Sequence, residues 1–187
     1  MGPMPANRPP VPKALKILVA GAFGVGKTTL VGAVSEIYPL NLLGMTEDAP
    51  TPVDLGRITV DHDIVVYLFG APELDHPTLP NPEQIWVMWD ELATGALGAV
   101  VLADIHHLAD CTVAVDYFRR LRIPFLVAVN SFDGKYYYSA SQVRNAMDLD
   151  PFVPVVMCDP RDRHSVKGVL VSLVEHVIWT PRLPSWN

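Results

Sequence analysis

The residues best suited to chemistry are Gly21-Ala22-Phe23-Gly24-Val25-Gly26-Lys27-Thr28, which fit the pattern G-x-x-x-x-G-K-[ST] without a gap. Glycines at these spacings let successive backbone N–H groups turn inward around an anion. Lys27 supplies a point charge for the outer phosphates of a nucleotide, and the Thr28 hydroxyl can hold a magnesium ion. Such a loop must sit between a strand and a helix, because the helix N-terminus adds partial positive charge where the phosphates lie. The apolar run Leu15 to Ala20 precedes it and reads as a buried strand, and Thr29 to Ile37 follows it and reads as a helix. A glycine-rich turn without a ligand is the plain alternative.

A phosphate loop does not choose a base. The apolar run Phe125–Val129 ends in Asn130-Ser131-Phe132-Asp133. A carboxylate at Asp133 can accept hydrogen bonds from guanine N1–H and the N2 amine together, and adenine has no such pair of donors. Asn130 can brace the neighbouring loop from the same turn. The N-x-x-D spacing is weak alone and gains force from its place at the end of a later strand. The competing reading is a turn whose Asn and Asp satisfy their own backbone.

The elements that must position these residues are legible as alternation. Strand-like runs recur at Leu15–Ala20, Ile64–Phe69, Ala99–Ala103, Phe125–Val129 and Val153–Met157. Helix-like stretches fall at Thr29–Ile37, Ile85–Leu92, Thr112–Leu121, Ser141–Leu149 and Ser165–Val177. This order predicts a mostly parallel sheet with helices on both faces. Arg57–Val60, joined to Ile64–Phe69 by Asp61-His62-Asp63, reads as one antiparallel edge strand, which makes six strands. Pro39–Leu55 and Gly70–Gln84 show no period and read as long loops beside the site. The expected organisation is a Pro-rich flexible tail over 1–13, one α/β domain over 14–180 and a short tail over 181–187.

The bulk numbers narrow the classes. Half of the 187 residues are hydrophobic, enough for a sizeable core, yet no apolar run reaches the ~18 residues that cross a bilayer. The net charge of −6 argues against nonspecific nucleic-acid binding. Two cysteines, Cys111 and Cys158, at or near apolar runs fit a reducing cytoplasm, with a disulfide as the alternative. The six histidines lack zinc spacing, and His106 and His107 read as solvated. Trp86 and Trp89, at i and i+3, read as core rather than partner surface. Tyr136-Tyr137-Tyr138 fits either an interface or packing against the next helix.

With these motifs in place, the chain resembles small Ras-like GTPases, and most nearly the conservon-type GTP-binding proteins of actinobacteria, distant relatives of the bacterial GTPase of gliding polarity. The strings that carry the resemblance are Gly21–Thr29, Leu55-Gly56-Arg57-Ile58, Leu68-Phe69-Gly70, Met88–Leu92, Gly95–Asp104, Val127–Gly134 and Leu149-Asp150-Pro151. The resemblance implies a Ras-like P-loop fold and a GTP/GDP switch with magnesium. The implied site is Gly21 to Thr29 on the phosphates, Asn130, Asp133, Cys158 and Asp159 around guanine, and Thr28 with Thr51 on the metal; Thr46 is a weaker candidate than Thr51. It also implies a roadblock-type small protein and a sensor-kinase-like membrane protein as partners. Localisation would be cytoplasmic, with membrane contact only through such a partner.

The chain departs from the Ras-like pattern in one segment above all. Ras-like proteins carry D-x-x-G-Q after the third strand of their pattern, where Asp orients magnesium, Gly senses the γ-phosphate and Gln positions water. Here the stretch reads Phe69-Gly70-Ala71-Pro72-Glu73-Leu74, without that Asp and with Glu73-Leu74 in place of Gly-Gln. Asp75, His76 or Gln84 are the candidates to replace the lost catalytic group, with no register to choose among them. Phe23 stands where glycine is usual, and Pro160 removes an N–H where the base-closing contact belongs. The expectation is a guanine-nucleotide-binding signalling protein with weak or partner-dependent hydrolysis. A pseudo-GTPase scaffold and a P-loop ATPase or small-molecule kinase stand as alternatives. The kinase reading lacks an Arg-rich lid, since Arg119, Arg120 and Arg122 fall at a helix end where a dipole role suffices.

Overall fold

The computed structural model describes residues 12–38, 40–43, 52–73, 82–130, 132 and 138–180. The elements run β1 (Lys13–Ala20), α1 (Lys27–Val34), β2 (Leu40–Leu43), β3 (Pro52–Thr59), β4 (Ile64–Gly70), α2 (Pro82–Ala93), β5 (Gly98–Asp104), a 3-10 turn (Leu108–Cys111), α3 (Thr112–Leu121), β6 (Phe125–Asn130), α4 (Ala140–Ala146), β7 (Val155–Cys158) and α5 (Arg163–Trp179). One sheet takes the order β2-β3-β4-β1-β5-β6-β7. The α/β class, the mostly parallel sheet and its helices are as expected.

Two details change. Strand β2, inside a stretch expected to be irregular, pairs with β3 and adds a seventh strand outside the six expected. Strand β3 is therefore second from the edge, and it alone runs against the others, being antiparallel to both β2 and β4. It also begins at Pro52, five residues before the expected Arg57. The polar Asp54 and the glycine Gly56 hide this strand from an alternation test. Strand β7 starts at Val155, because Val153 N donates back to Asp150 O in a turn and Pro154 has no N–H for the ladder, although its carbonyl accepts from Val127 N at 2.9 Å.

The continuous apolar runs are explained by helices on both faces. Along β1, Leu18 and Ala20 face α2 and α3, meeting Ile85, Trp89, Val115 and Phe118. Ile17 and Val19 face the other way, meeting Leu30, Val31 and Val34 of α1 and Leu173 of α5. Helix α1 lies unusually close to β3 at Gly56, where a Cβ would come within 2.7 Å of Val31 Cγ1. Trp89 is buried, as expected, and stacks edge-on with Tyr117 at 4.9 Å.

Parallel register brings the functional ends together. Ala20 pairs with Val101, Asp104 with Asn130, and Asn130 with Cys158, so the carboxyl ends of β1, β5, β6 and β7 share one edge of the sheet. Ligands of open α/β sheets bind along that edge. Among the described residues no helix is long and apolar enough to cross a membrane.

Candidate nucleotide site

The segment Gly21 to Gly26 leaves the central strand β1 and turns directly into α1. The turn needs glycine. Gly21 has φ 147° and a Cβ there would lie 2.3 Å from the Leu102 carbonyl oxygen. Gly26, at φ 104°, is the N-cap residue of α1 and is left-handed. No side chain caps this helix and its first turn holds no acidic residue. By contrast Asp162 caps α5 through the N–H groups of His164 and Ser165, and Ser139 forms a capping box on α4. The N–H groups that open any helix lack intrahelical partners, so α1 presents donors and positive dipole to the loop.

Inside this turn, Val25 is buried, Ala22 half-buried, and Phe23, Gly24, Thr28 and Thr29 exposed. Phe23 projects from the tip with 71% of its surface accessible. Lys27 folds back over the loop at 7% exposure and donates to Gly21 O at 3.0 Å and Ala22 O at 2.8 Å. Its third partner is Glu73 Oε1 at 3.0 Å. Burial lowers the Lys27 pKa, and Glu73 and then Asp54 pull it back upward. Glu73 thus sits on the ammonium that the motif reserves for phosphate. The backbone that carries it is pinned twice: Ala71 N donates to Val19 O at 2.8 Å, and Trp89 Nε1 donates to Pro72 O at 3.0 Å.

The Thr28 hydroxyl donates to Asp54 Oδ2 across from β3. Asp54 was legible only as the end of a loop, and its role in the site had no sequence signal. A hydroxyl beside a carboxylate is a donor set of hard oxygens, which fits magnesium. Among the described residues no group of three or more His, Cys, Asp or Glu could hold a metal ion unaided.

Asn130, at the end of β6, is buried and donates through Nδ2 to Val25 O at 3.0 Å, so it braces the phosphate loop. Pro160 packs on the same turn: a Cβ at Gly26 would meet its Cγ at 3.4 Å. Cys158 is buried, and burial pushes its thiol up to about 11, which leaves it a structural residue. The Asp159 carboxylate accepts from Arg161 Nε at 2.8 Å and Nη2 at 2.9 Å, and this pairing holds its pKa below the ordinary range. The backbone donors of this turn are spent. Asp159 N donates to Ser165 Oγ, Arg161 N to Asp159 Oδ1, Asp162 N to Asp159 O, and Pro160 has none. Asp133, Thr51, Thr46, Asp75 and His76 lie outside the described residues. Gln84 is exposed on the first turn of α2.

The sheet order and the glycine turn that leads from its central strand into a helix are those of the P-loop GTPase fold. Residues 52–180, more than half of the chain, match the family described as "Conserved hypothetical ATP binding protein", and the chain belongs to that family. The matched region begins after the phosphate loop. Among solved structures, the chain is similar to the G domain of the Thermotoga maritima FeoB iron transporter, at TM-score 0.63 and 19% identity over 88% of this chain and 99% of that one. It is similar to the FeoB G domain of Methanococcus jannaschii at TM-score 0.61 and 15% identity, over 89% and 99%. It is also similar to a variant of Aquifex aeolicus Era bound to GDP·AlF4−, at TM-score 0.62 and 16% identity, over 92% of this chain and 58% of that one. No curated protein matches the chain.

Proposed function

We propose that this chain binds guanine nucleotide as a GTPase-like signalling protein whose own hydrolysis is weak or depends on a partner. The observation that carries the reading is Lys27. It is buried in a glycine turn on an uncapped helix and is held by one exchangeable carboxylate, that of Glu73. A nucleotide phosphate is the ligand that replaces that carboxylate at such a place. In this reading Gly21 to Thr29 cradle the phosphates, and Thr28 reaches magnesium together with Thr51 of the first loop. Asp133 reads guanine three residues beyond Asn130, and the turn at Cys158 and Asp159 flanks the base without donating to it, since its backbone donors and the Asp159 carboxylate are already engaged.

Guanine is favoured over adenine by the donor pair that Asp133 can take. The solved neighbours support it too: the Era variant holds GDP·AlF4−, and the cytosolic domain of the Thermotoga maritima FeoB transporter has been solved with GDP and with GMPPNP. The family description favours ATP, and an ATPase or kinase is the reading it supports. Weak hydrolysis follows from Glu73 and Leu74 in place of a γ-phosphate sensor and a water-positioning group. Taken further, the Lys27–Glu73 pair supports a scaffold that holds GDP or nothing. Partners of roadblock and sensor-kinase type, a cytoplasmic location and flanking tails outside 14–180 belong to the same proposal and rest on the resemblance of the sequence.

Nucleotide extracted from the purified protein and identified by chromatography tests the base. GDP or GTP, with GTP outcompeting ATP in titration, is the expected result. Asp133→Asn should move preference toward xanthine nucleotides, whose 2-oxo group accepts from the new amide. A wild type that prefers ATP overturns the guanine assignment. Single-turnover hydrolysis then separates a slow GTPase from a scaffold.

A further inference from the structure

Strand β4 ends in Gly70, at the place where the magnesium-orienting aspartate of a Ras-like pattern would stand. The opposing residue on β3 is Asp54, in register with Gly70. Asp54 fills the room that a side chain at Gly70 would take: a Cβ built there meets Asp54 Cβ at 3.1 Å, Oδ2 at 3.3 Å and Cγ at 3.6 Å. A carboxylate on either strand thus reaches neighbouring space, and a side chain at Gly70 would crowd the one already supplied by Asp54. From that space Asp54 Oδ2 accepts the hydrogen bond of the Thr28 hydroxyl, the group the phosphate-loop motif commits to magnesium. Asp54 also lies near enough to Lys27 to raise its proton affinity.

We infer that Asp54 is the carboxylate that orients the magnesium ion of a bound nucleotide, supplied from β3 because β4 ends in glycine. The inference rests on the nucleotide reading above. It assigns to an antiparallel strand a role that the P-loop pattern gives to its parallel neighbour. Register makes the exchange possible. Paired residues on adjacent strands sit within about 5.5 Å at Cα and project to the same face of the sheet. Moving an aspartate across one pair keeps it beside Thr28.

The charge of Asp54 makes the test a matter of sign. With magnesium present, the carboxylate helps hold the cation that bridges protein and phosphates. Without it, the same carboxylate faces phosphate oxygens and repels them. A hydrogen bond that only shaped the loop would act equally in both conditions. The experiment is a titration of the full chain with fluorescent N-methylanthraniloyl-GDP, in millimolar magnesium and in EDTA, for wild type and Asp54→Asn. The substitution keeps an acceptor for Thr28 and removes the charge.

For wild type, magnesium should tighten binding by at least about tenfold. For Asp54→Asn the gain should fall below about threefold, and in EDTA the variant should bind more tightly than wild type. The inference is overturned if Asp54→Asn keeps the full gain, or if it weakens binding by one factor in both conditions. Wild-type binding with no response to magnesium overturns the role of Asp54 and leaves the guanine-nucleotide reading standing. A wild type that binds no guanine nucleotide in either condition overturns that reading, and the role of Asp54 with it.

Discussion

Replacing Glu73 by alanine should make this protein bind nucleotide more tightly, which is the reverse of what deleting a residue from a binding site usually does. The phosphates must evict Glu73 from Lys27, and the cost of that eviction sets the effect. Opposite unit charges 3.0 Å apart attract by about 5 kcal/mol at an effective dielectric of about 20. Most of this is returned by solvation, because the Glu73 side chain keeps 29% exposure and is rehydrated when it leaves. Charge-assisted hydrogen bonds net about 1.5–3 kcal/mol, and the lower end suits a half-exposed partner. Glu73→Ala should therefore lower the GDP dissociation constant by about tenfold, equivalent to ~1.4 kcal/mol. GTP should gain more than GDP, because the carboxylate repels the γ-phosphate as well. The nucleotide-free protein should lose stability, since Lys27 keeps only its two carbonyl partners.

The pH dependence of that loss follows from Lys27. Burial holds its folded pKa below the ordinary 10.5, and Glu73 partly offsets this. A lysine whose folded pKa is depressed weakens the fold at pH values below that pKa, and the penalty is relieved as pH rises toward 10.5. Removing Glu73 lowers the folded pKa further. The melting temperature of nucleotide-free Glu73→Ala should thus fall at neutral pH and recover toward wild type in alkaline buffer. Calorimetric titration with GDP and a nonhydrolysable GTP analogue, beside thermal melts across pH, reads both effects. Equal or weaker nucleotide binding by Glu73→Ala would refute the view that Glu73 competes with phosphate.

Three further expectations concern the surroundings. Asn130→Ala removes the buried donor to Val25 O and leaves that carbonyl unpaired, so it should cost about 1–3 kcal/mol in chemical denaturation and weaken nucleotide binding through the loop; an unchanged unfolding midpoint would count against the brace. The thiols of Cys111 and Cys158, each pushed up to about 11 by burial, should react with a maleimide at pH 8 only after unfolding; rapid labelling of the native protein would show them accessible. His107 lies 3.1 Å from Asp104 Oδ2, and that contact raises its pKa above 6.5, so it stabilises the fold below 6.5 and loses this contribution as pH rises through the raised value. Its NMR titration midpoint should fall back toward 6.5 in Asp104→Asn.

The parts of the fold legible in the sequence were those fixed by local chemistry. Gly21 to Thr28 announced both a ligand and the strand and helix around it, because left-handed glycines followed by Lys-Thr have few other uses. The runs at Leu15–Ala20 and Phe125–Val129 read as strands because both faces of a parallel sheet are buried; the second holds no polar residue, and the first holds only Lys16, whose ammonium reaches out to Glu91 O and Thr94 O. Strand β3 escaped for the opposite reason. Asp54 and Gly56 lie inside it, each for a tertiary purpose: one reaches Thr28 and the other lets Val31 approach. The Glu73 contact was legible only as charge near phosphate. That it lands on Lys27 depends on Trp89, 16 positions along the chain, whose indole holds Pro72. Trp89 read as core and is core, and its N–H does a second task that no spacing rule could show.

In the proposed reading, the carboxylates of Glu73 on Lys27 and Asp54 on Thr28 stand where phosphate and metal would act, so the site carries its own counterions. The consequence is a coupling. Glu73 leaves Lys27 when phosphate arrives, but its backbone is tied through Pro72 to Trp89 in the middle of α2 and through Ala71 to β1. The side chain can swing while those anchors hold, or the segment can move and take the α2 contact with it. The first route changes the charge exposed beside Phe23 without moving the core. The second pulls on the aromatic cluster of Trp89, Tyr117 and Phe118 that joins α2 to α3. Indole fluorescence separates them once Trp86, Trp179 and Trp186 are replaced by phenylalanine, since the remaining Trp89 is buried against those rings and reports any shift among them. A signal change that follows GDP binding in wild type and is lost in Glu73→Ala would mean that phosphate is sensed through α2, with Glu73 as the lever. Nucleotide binding without any change in emission would confine the response to the loop.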